Sequence, residues 1–222
     1  MNNRILLSAL SALLLTVCAP VHANLISNGS FESGAKTGNT DTTLLVNDNT
    51  TLAGWTVVDD SIDWITGGSQ WSLAPADGNA FLDLTRLEAG PPFGGVSQQI
   101  ATTPGQTYVL TFALGSYTDR WGGPPVSITA SAGDASQTFT DNDRTQQSTW
   151  TTEQMLFTAT ASSTLVTLTG AAGFNYIGLD SVFVLECTPG VAGCAAVPGV
   201  PVPSTIALLT VGAFGLVRAR RR

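Results

Sequence analysis

The chain has 222 residues and 43% hydrophobic content, enough to bury the core of one domain of ordinary size, and only 11% of it is charged. Its net charge of −7 understates the acidity of the middle, where four cations (Lys36, Arg86, Arg120 and Arg144) face all sixteen acidic residues, a net of −12. Such a surface repels phosphate backbones and excludes nucleic acid as a partner. The only histidine, His22, precedes the expected mature N-terminus. A mature chain without histidine lacks His-based triads, His-dependent zinc sites and the usual near-neutral acid–base group.

In chain order, the first expected element is a secretion signal. Arg4 supplies its positive charge, and residues 5–17 are apolar apart from Ser8, Ser11 and Thr16. That helix is well short of the ~20 residues a membrane span needs. Val21 and Ala23 stand at −3 and −1, so signal peptidase is expected to cut between Ala23 and Asn24, removing residues 1–23.

Residues 24–186 show no amphipathic helix. They show short alternating runs bounded by turn residues, the pattern of an antiparallel β-sandwich. The clearest strand is 107–114, with Tyr108, Leu110, Phe112 and Leu114 on one face, after a Pro104-Gly105 type II turn. Residues 125–132 alternate Val126, Ile128 and Ala130, and residues 154–160 alternate Met155, Phe157 and Ala159. Strands are also expected at 165–168 and 177–185, with Gly170-Ala171-Ala172-Gly173 as the loop between them.

Cys187 and Cys194 are the two cysteines left after signal removal, and in an exported chain they are expected to close a small disulfide loop. They open a linker, 187–203, rich in Pro, Ala, Val and Gly. Residues 204–222 carry a second apolar helix, 206–217, ahead of Arg218, Arg220, Arg221 and Arg222. The arginines would stay cytoplasmic and stop translocation, leaving the domain outside.

Two sets of residues carry family resemblances. The run Val200-Pro201-Val202-Pro203-Ser204-Thr205, followed by an apolar segment and terminal arginines, resembles the PEP-CTERM sorting signal of Gram-negative bacteria. Pro201, Pro203, Ser204 and Thr205 carry the match; Val202 departs from it, since the pattern has Glu there. The resemblance implies an exosortase partner at the inner membrane, delivery to the cell surface or extracellular matrix, and membrane retention as the alternative to cleavage.

The second set begins with Asn24-Leu25-Ile26-Ser27-Asn28-Gly29-Ser30-Phe31-Glu32 and continues with Gly54-Trp55, Ile62-Asp63-Trp64 and Ala76-Asp77-Gly78. Leu82-Asp83-Leu84, Gly95-Val96-Ser97-Gln98, Thr103 to Tyr108 and Gly178-Leu179-Asp180-Ser181-Val182 follow in order. Together they resemble the choice-of-anchor C family of bacterial surface proteins and related plant cell-wall proteins. That family implies a galactose-binding-like jelly-roll β-sandwich, here flanked by the two apolar helices, and implies no reaction. Carbohydrate-binding jelly rolls with a similar opening place the first Glu and a late Asp at a structural calcium site, so Glu32 and Asp180 are the candidate Ca²⁺ ligands. The alternative is that Glu32 caps local amides and Asp180 makes a turn.

The other candidate chemistry is sugar recognition. A pyranose lays its C–H face on an aromatic ring while amides and carboxylates bond its hydroxyls. Trp71, Tyr117 and Trp121 sit in loop-like contexts beside the hydroxyl partners Asp63, Asp77, Asp119 and Arg120, whereas Trp55 and Trp150 are expected in the core. A glycosidase needs two carboxylates across a cleft, and the many Asp residues nominate pairs too easily to select one. No G-x-S-x-G elbow or phosphate-binding glycine loop occurs, so no catalytic residue is assigned. The expected function is that of a non-enzymatic, extracellular-polysaccharide-binding surface protein; the alternatives are a structural matrix component without a ligand and a polysaccharide hydrolase.

Overall fold

The computed structural model describes residues 23–36, 41–66, 73–86, 91–117, 125–142, 148–173, 176–188 and 191–194. The signal segment before Ala23, the loop residues Trp71, Asp119, Arg120 and Trp121, and the sorting residues Pro201, Pro203, Ser204 and Thr205 lie outside them.

Among the described residues the chain forms eleven strands and no helix. They are β1 (Thr42–Leu44), β2 (Thr56–Val58), β3 (Ile62–Thr66), β4 (Ala80–Asp83), β5 (Gly95–Ala101) and β6 (Thr107–Tyr117). β7 (Val126–Ala132), β8 (Ala135–Asp141), β9 (Ser148–Thr158), β10 (Ser163–Ala172) and β11 (Ile177–Glu186) complete the set. A six-stranded sheet, β1-β3-β4-β11-β6-β9, packs on a five-stranded sheet, β2-β5-β10-β7-β8, and every strand pairing is antiparallel. The domain is an all-β jelly-roll sandwich.

The alternation read from the sequence sets which face is buried. Tyr108, Leu110, Phe112 and Leu114 of β6 meet Val126, Ile128 and Ala130 of β7, and Met155 and Phe157 of β9, in one core between the sheets. The turn before β6 forms as expected: Gly105 has φ +79°, and the Gln106 amide donates to the Thr103 carbonyl at 3.0 Å. The expected loop at 170–173 is instead mostly strand. β10 runs through Ala172 and absorbs the small residues in a bulge between Gly170 and Ala172, where the Gly170 amide donates to the Gly94 carbonyl at 3.0 Å.

The N-terminal segment is fastened along β11. The Leu25 amide donates to the Val184 carbonyl (3.0 Å) and the Val182 amide to the Gly29 carbonyl (2.9 Å). Asn24 Oδ1 accepts from the amides of Ile26 and Val184, both at 3.0 Å. Gln98, pointing inward from β5, clasps Ser27 through three hydrogen bonds, so both the oxygen and the nitrogen of this polar side chain in the sandwich are engaged.

Cys187 and Cys194 are disulfide-bonded with Cα atoms 5.5 Å apart. The Cys187 amide extends the sheet by donating to the Thr107 carbonyl at 2.9 Å, so the bridge braces the exit from β11. Closing so short a loop restrains the unfolded chain by about 2–3 kcal/mol on the chain-entropy account. A Cys187→Ser, Cys194→Ser double variant is therefore expected to lose that much folding stability, read as a lower denaturant midpoint. Equal midpoints for the two proteins would refute the bracing role.

Candidate functional site

The outer face of the six-stranded sheet carries a second, smaller apolar cluster made by Ile65, Leu73, Phe81 and Tyr176, with Tyr117 and Trp150 packed against it. Strand register explains how an indole comes to lie there. Trp150 on β9 pairs with Gly115 on β6, which pairs with Gly178 on β11. A Cβ at Gly115 would come within 2.5 Å of the Trp150 ring, and one at Gly178 within 2.9 Å. Two glycines side by side thus leave the bed on which the indole rests. Its N–H donates to the Ala74 carbonyl at 2.8 Å, and its ring meets Phe81 edge-on at 5.7 Å.

Beside Trp150 a groove of about 440 Å³ opens on this face. Its floor follows from the register: Thr111 and Ala113 on β6 lie between Phe183 on β11 and Thr152 on β9. Ser181 and the segment Pro75–Ala76 form the opposite wall. The described residues that line it present an indole, a phenyl ring, three hydroxyls and small apolar groups, with no carboxylate or cation among them.

The wall is held by two carboxylates. Asp180 Oδ2 accepts from the amides of Ala76 (2.8 Å) and Asp77 (3.0 Å), and its Oδ1 accepts from the Ser181 amide. Glu32 Oε1 accepts from the amides of Asn79 (2.7 Å) and Ala80 (2.9 Å), and Ser30 Oγ donates to Asp77 at 2.7 Å. The loop from Ala74 to Ala80 is therefore capped at both ends, which is how it holds a fixed edge over the sheet. The pair expected to share a calcium ion meets on one loop, but its oxygens there face amide donors. Among the described residues no group of three His, Cys, Asp or Glu is gathered to hold a metal. This donor set suits backbone amides better than a resident cation.

Burial raises Asp180 from the usual 3.8 to about 6, and the nearby Asp77 charge adds to the rise, against the lowering by the amides of Asp77, Ser181 and Ala76. Because the folded-state value lies above the unfolded one, the contribution of this group to stability is full below pH 3.8 and is lost as pH rises through about 6. The expected size is on the order of 2 kcal/mol. Relative to wild type, Asp180→Asn is expected to gain that much between pH 4 and pH 7.5, measured by chemical denaturation across the range. A pH-independent difference between the two proteins would contradict the assignment.

The other sequence-derived candidates separate. Asp77 is exposed at the rim beside Ala76. Asp63 is buried, 5% exposed, and accepts from Thr43 Oγ1 at 2.7 Å. Tyr117 is half-buried against Tyr176, ring centroids 6.1 Å apart. Trp55 is core, as expected, packed near Phe31 at 5.5 Å. Trp150, expected in the core, instead lies half-buried on the outer face, because strand register points it away from the space between the sheets. The usable signal was Gly115 and Gly178, small residues in otherwise bulky strands, which mark a close approach from outside.

The family described as "Protein of unknown function (DUF642)" matches residues 24–174, well over half of the chain. The chain belongs to the DUF642 family. β11 lies beyond the matched residues yet sits between β4 and β6 in the middle of its sheet, so the folded DUF642 unit here extends to Glu186. Halomucin from Haloquadratum walsbyi (strain DSM 16790 / HBSQ001) is 27% identical over 194 residues, covering 84% of this chain; the chain spans 2% of that protein's length. Among solved structures, TmCBM61 in complex with beta-1,4-galactotriose matches at 13% identity and TM-score 0.44, covering 74% of this chain and 99% of that one. A family 35 carbohydrate binding module from Clostridium thermocellum matches at 10% identity and TM-score 0.41, covering 67% and 100%. The CBM22-1 xylan-binding domain from Paenibacillus barcinonensis Xyn10C matches at 16% and 0.38, covering 68% and 97%.

Proposed function

We propose that this DUF642 domain is a non-enzymatic polysaccharide-binding module of an exported protein. The observation that carries the reading is the groove itself: Trp150 on its glycine bed at one end, Phe183 at the other, and the hydroxyls of Thr111, Thr152 and Ser181 between them. Aromatic faces take the C–H side of a pyranose, and hydroxyls both donate to and accept from its OH groups. Hydrolysis would need a pair of carboxylates across the groove, and its described lining offers none. In affinity electrophoresis, gels containing a bound polysaccharide are expected to retard the wild-type chain and not Trp150→Ala. Equal mobility of the two in every polysaccharide-containing gel would remove the basis for this function.

The termini complete the proposal. A signal peptidase cut before Asn24 frees the residue whose side chain caps β11, and the PEP-CTERM-like tail then delivers a choice-of-anchor C type surface protein through exosortase at the inner membrane of a Gram-negative cell. The disulfide supports an oxidising destination. Intact-mass measurement of the cell-surface protein is expected to give a chain beginning at Asn24 and lacking the arginine-rich end. A mass retaining both ends would contradict export and sorting by this route.

A further inference from the structure

We infer that the groove on the six-stranded sheet takes an uncharged polysaccharide segment about three sugars long, and discriminates against uronate or sulfated chains. This rests on the polysaccharide-binding reading and narrows it to a ligand class.

The length follows from register. Trp150 is level with Gly115 on β6, and Phe183 is level with Thr111, four residues along the same strand. Four residues of strand span ~13 Å, and the step from β11 across β6 to β9 adds ~10 Å sideways, so the two rings mark a diagonal of roughly 16 Å, the reach of about three pyranose rings. Ala113 sits at the middle of that diagonal, with Thr111 and Thr152 flanking it on one side and Ser181 of β11 on the other, so hydroxyl groups of consecutive sugars would meet them from both flanks. One sugar could touch one ring only; a short chain segment can touch both.

The charge preference follows from what surrounds the groove. Its described lining is uncharged. Among the described residues, the ionisable groups next to its lining include the carboxylates of Asp77 on the rim, next to Ala76, and of Asp180 next to Ser181. Lys36 is engaged elsewhere, its ammonium 4.1 Å from the centre of the Trp64 ring. A polyanion entering here would meet like charge on a domain whose net charge is −12, with no described cation in the groove to offset it. A neutral sugar is recognised by stacking and hydroxyl pairing, neither of which depends on salt.

The test is isothermal titration of the full chain with soluble glucan, galactan, mannan and xylan, set against polygalacturonate, at 50 and 500 mM salt. At least one neutral polymer is expected to bind with an affinity that changes less than twofold between the two salts and is lost in Trp150→Ala. With oligosaccharides cut from that polymer, affinity is expected to rise tenfold or more from the disaccharide to the trisaccharide and then level off. Binding of polygalacturonate through Trp150 in preference to every neutral polymer overturns this inference and leaves the polysaccharide-binding function standing. Affinity that is already complete with a single sugar overturns the length. Binding of none of the polymers overturns both this inference and the function it rests on. Because Trp150→Ala also loosens the outer apolar cluster, Thr152→Val serves as a milder variant, expected to weaken neutral binding several-fold; unchanged binding would count against the diagonal.

Discussion

Replacing Trp64 with alanine is expected to remove about 4–5 kcal/mol of folding stability. Trp64 is 1% exposed on β3, and its indole N–H donates to the Phe31 carbonyl at 2.9 Å. Gly34 presses on the same ring from the N-terminal segment, and Lys36 rests over it. Phe31 itself has φ +58°, a left-handed conformation that a non-glycine residue keeps only when its surroundings hold it. Truncation therefore opens a cavity, leaves the Phe31 carbonyl without its donor, and frees a backbone bend. Domains of this size have a total stability of about 5–15 kcal/mol, so the variant would lose roughly a quarter or more of it. Guanidinium denaturation of wild type and Trp64→Ala measures the difference directly, and a loss below about 1 kcal/mol would contradict the packing described for the N-terminal segment.

The second large effect falls on binding. Trp150→Ala is expected to weaken polysaccharide affinity by about 10- to 100-fold or more, equivalent to roughly 1.4–2.8 kcal/mol or above, the range of an aromatic anchor in a contact. Trp150→Phe keeps a ring over Gly115 and Gly178 but loses the bond to the Ala74 carbonyl, so it should retain part of the affinity. The ranking wild type, Trp150→Phe, Trp150→Ala separates stacking from a general loss of fold. Near-UV circular dichroism checks that the tertiary structure survives in both variants. A ranking in which alanine binds as well as tryptophan would mean the ring takes no part.

The sandwich was legible where alternation is strict. β6, β7 and β9 expose a clean period of two, and the residues it assigns to the inside, Tyr108 through Leu114, Val126 through Ala130, Met155 and Phe157, are the ones found there. The first half of the domain was less legible. β1 and β2 have three residues each, too short to show a period, and β4 is buried at all four positions. β3 and β4 lose their alternation because both faces are covered, one by the main core and the other by the small cluster under Leu73. That same cover hid the groove. An aromatic residue at an alternating position of a strand reads as core by default, and Trp150 differs only because its cross-strand neighbours are glycines, a relation that register reveals and linear sequence does not. Glu32 and Asp180 both reach the Ala74–Ala80 wall, where they accept five amide hydrogens along it and at its junction with Ser181, partners that their positions in the linear sequence do not reveal. Spacing in sequence cannot tell a carboxylate that caps amides from one that waits for a cation.

The most direct measurement of the binding face is a two-dimensional ¹H–¹⁵N NMR titration of the domain with a neutral oligosaccharide that it binds. The Trp150 indole N–H and the amides of Thr111, Thr152 and Ser181 are expected to shift together and saturate together, while Thr129 and Thr138, paired on the outer face of the five-stranded sheet, stay still. Saturable shifts centred on Thr129 and Thr138, with Trp150 unmoved, would place the sugar on the opposite side of the sandwich and contradict the account.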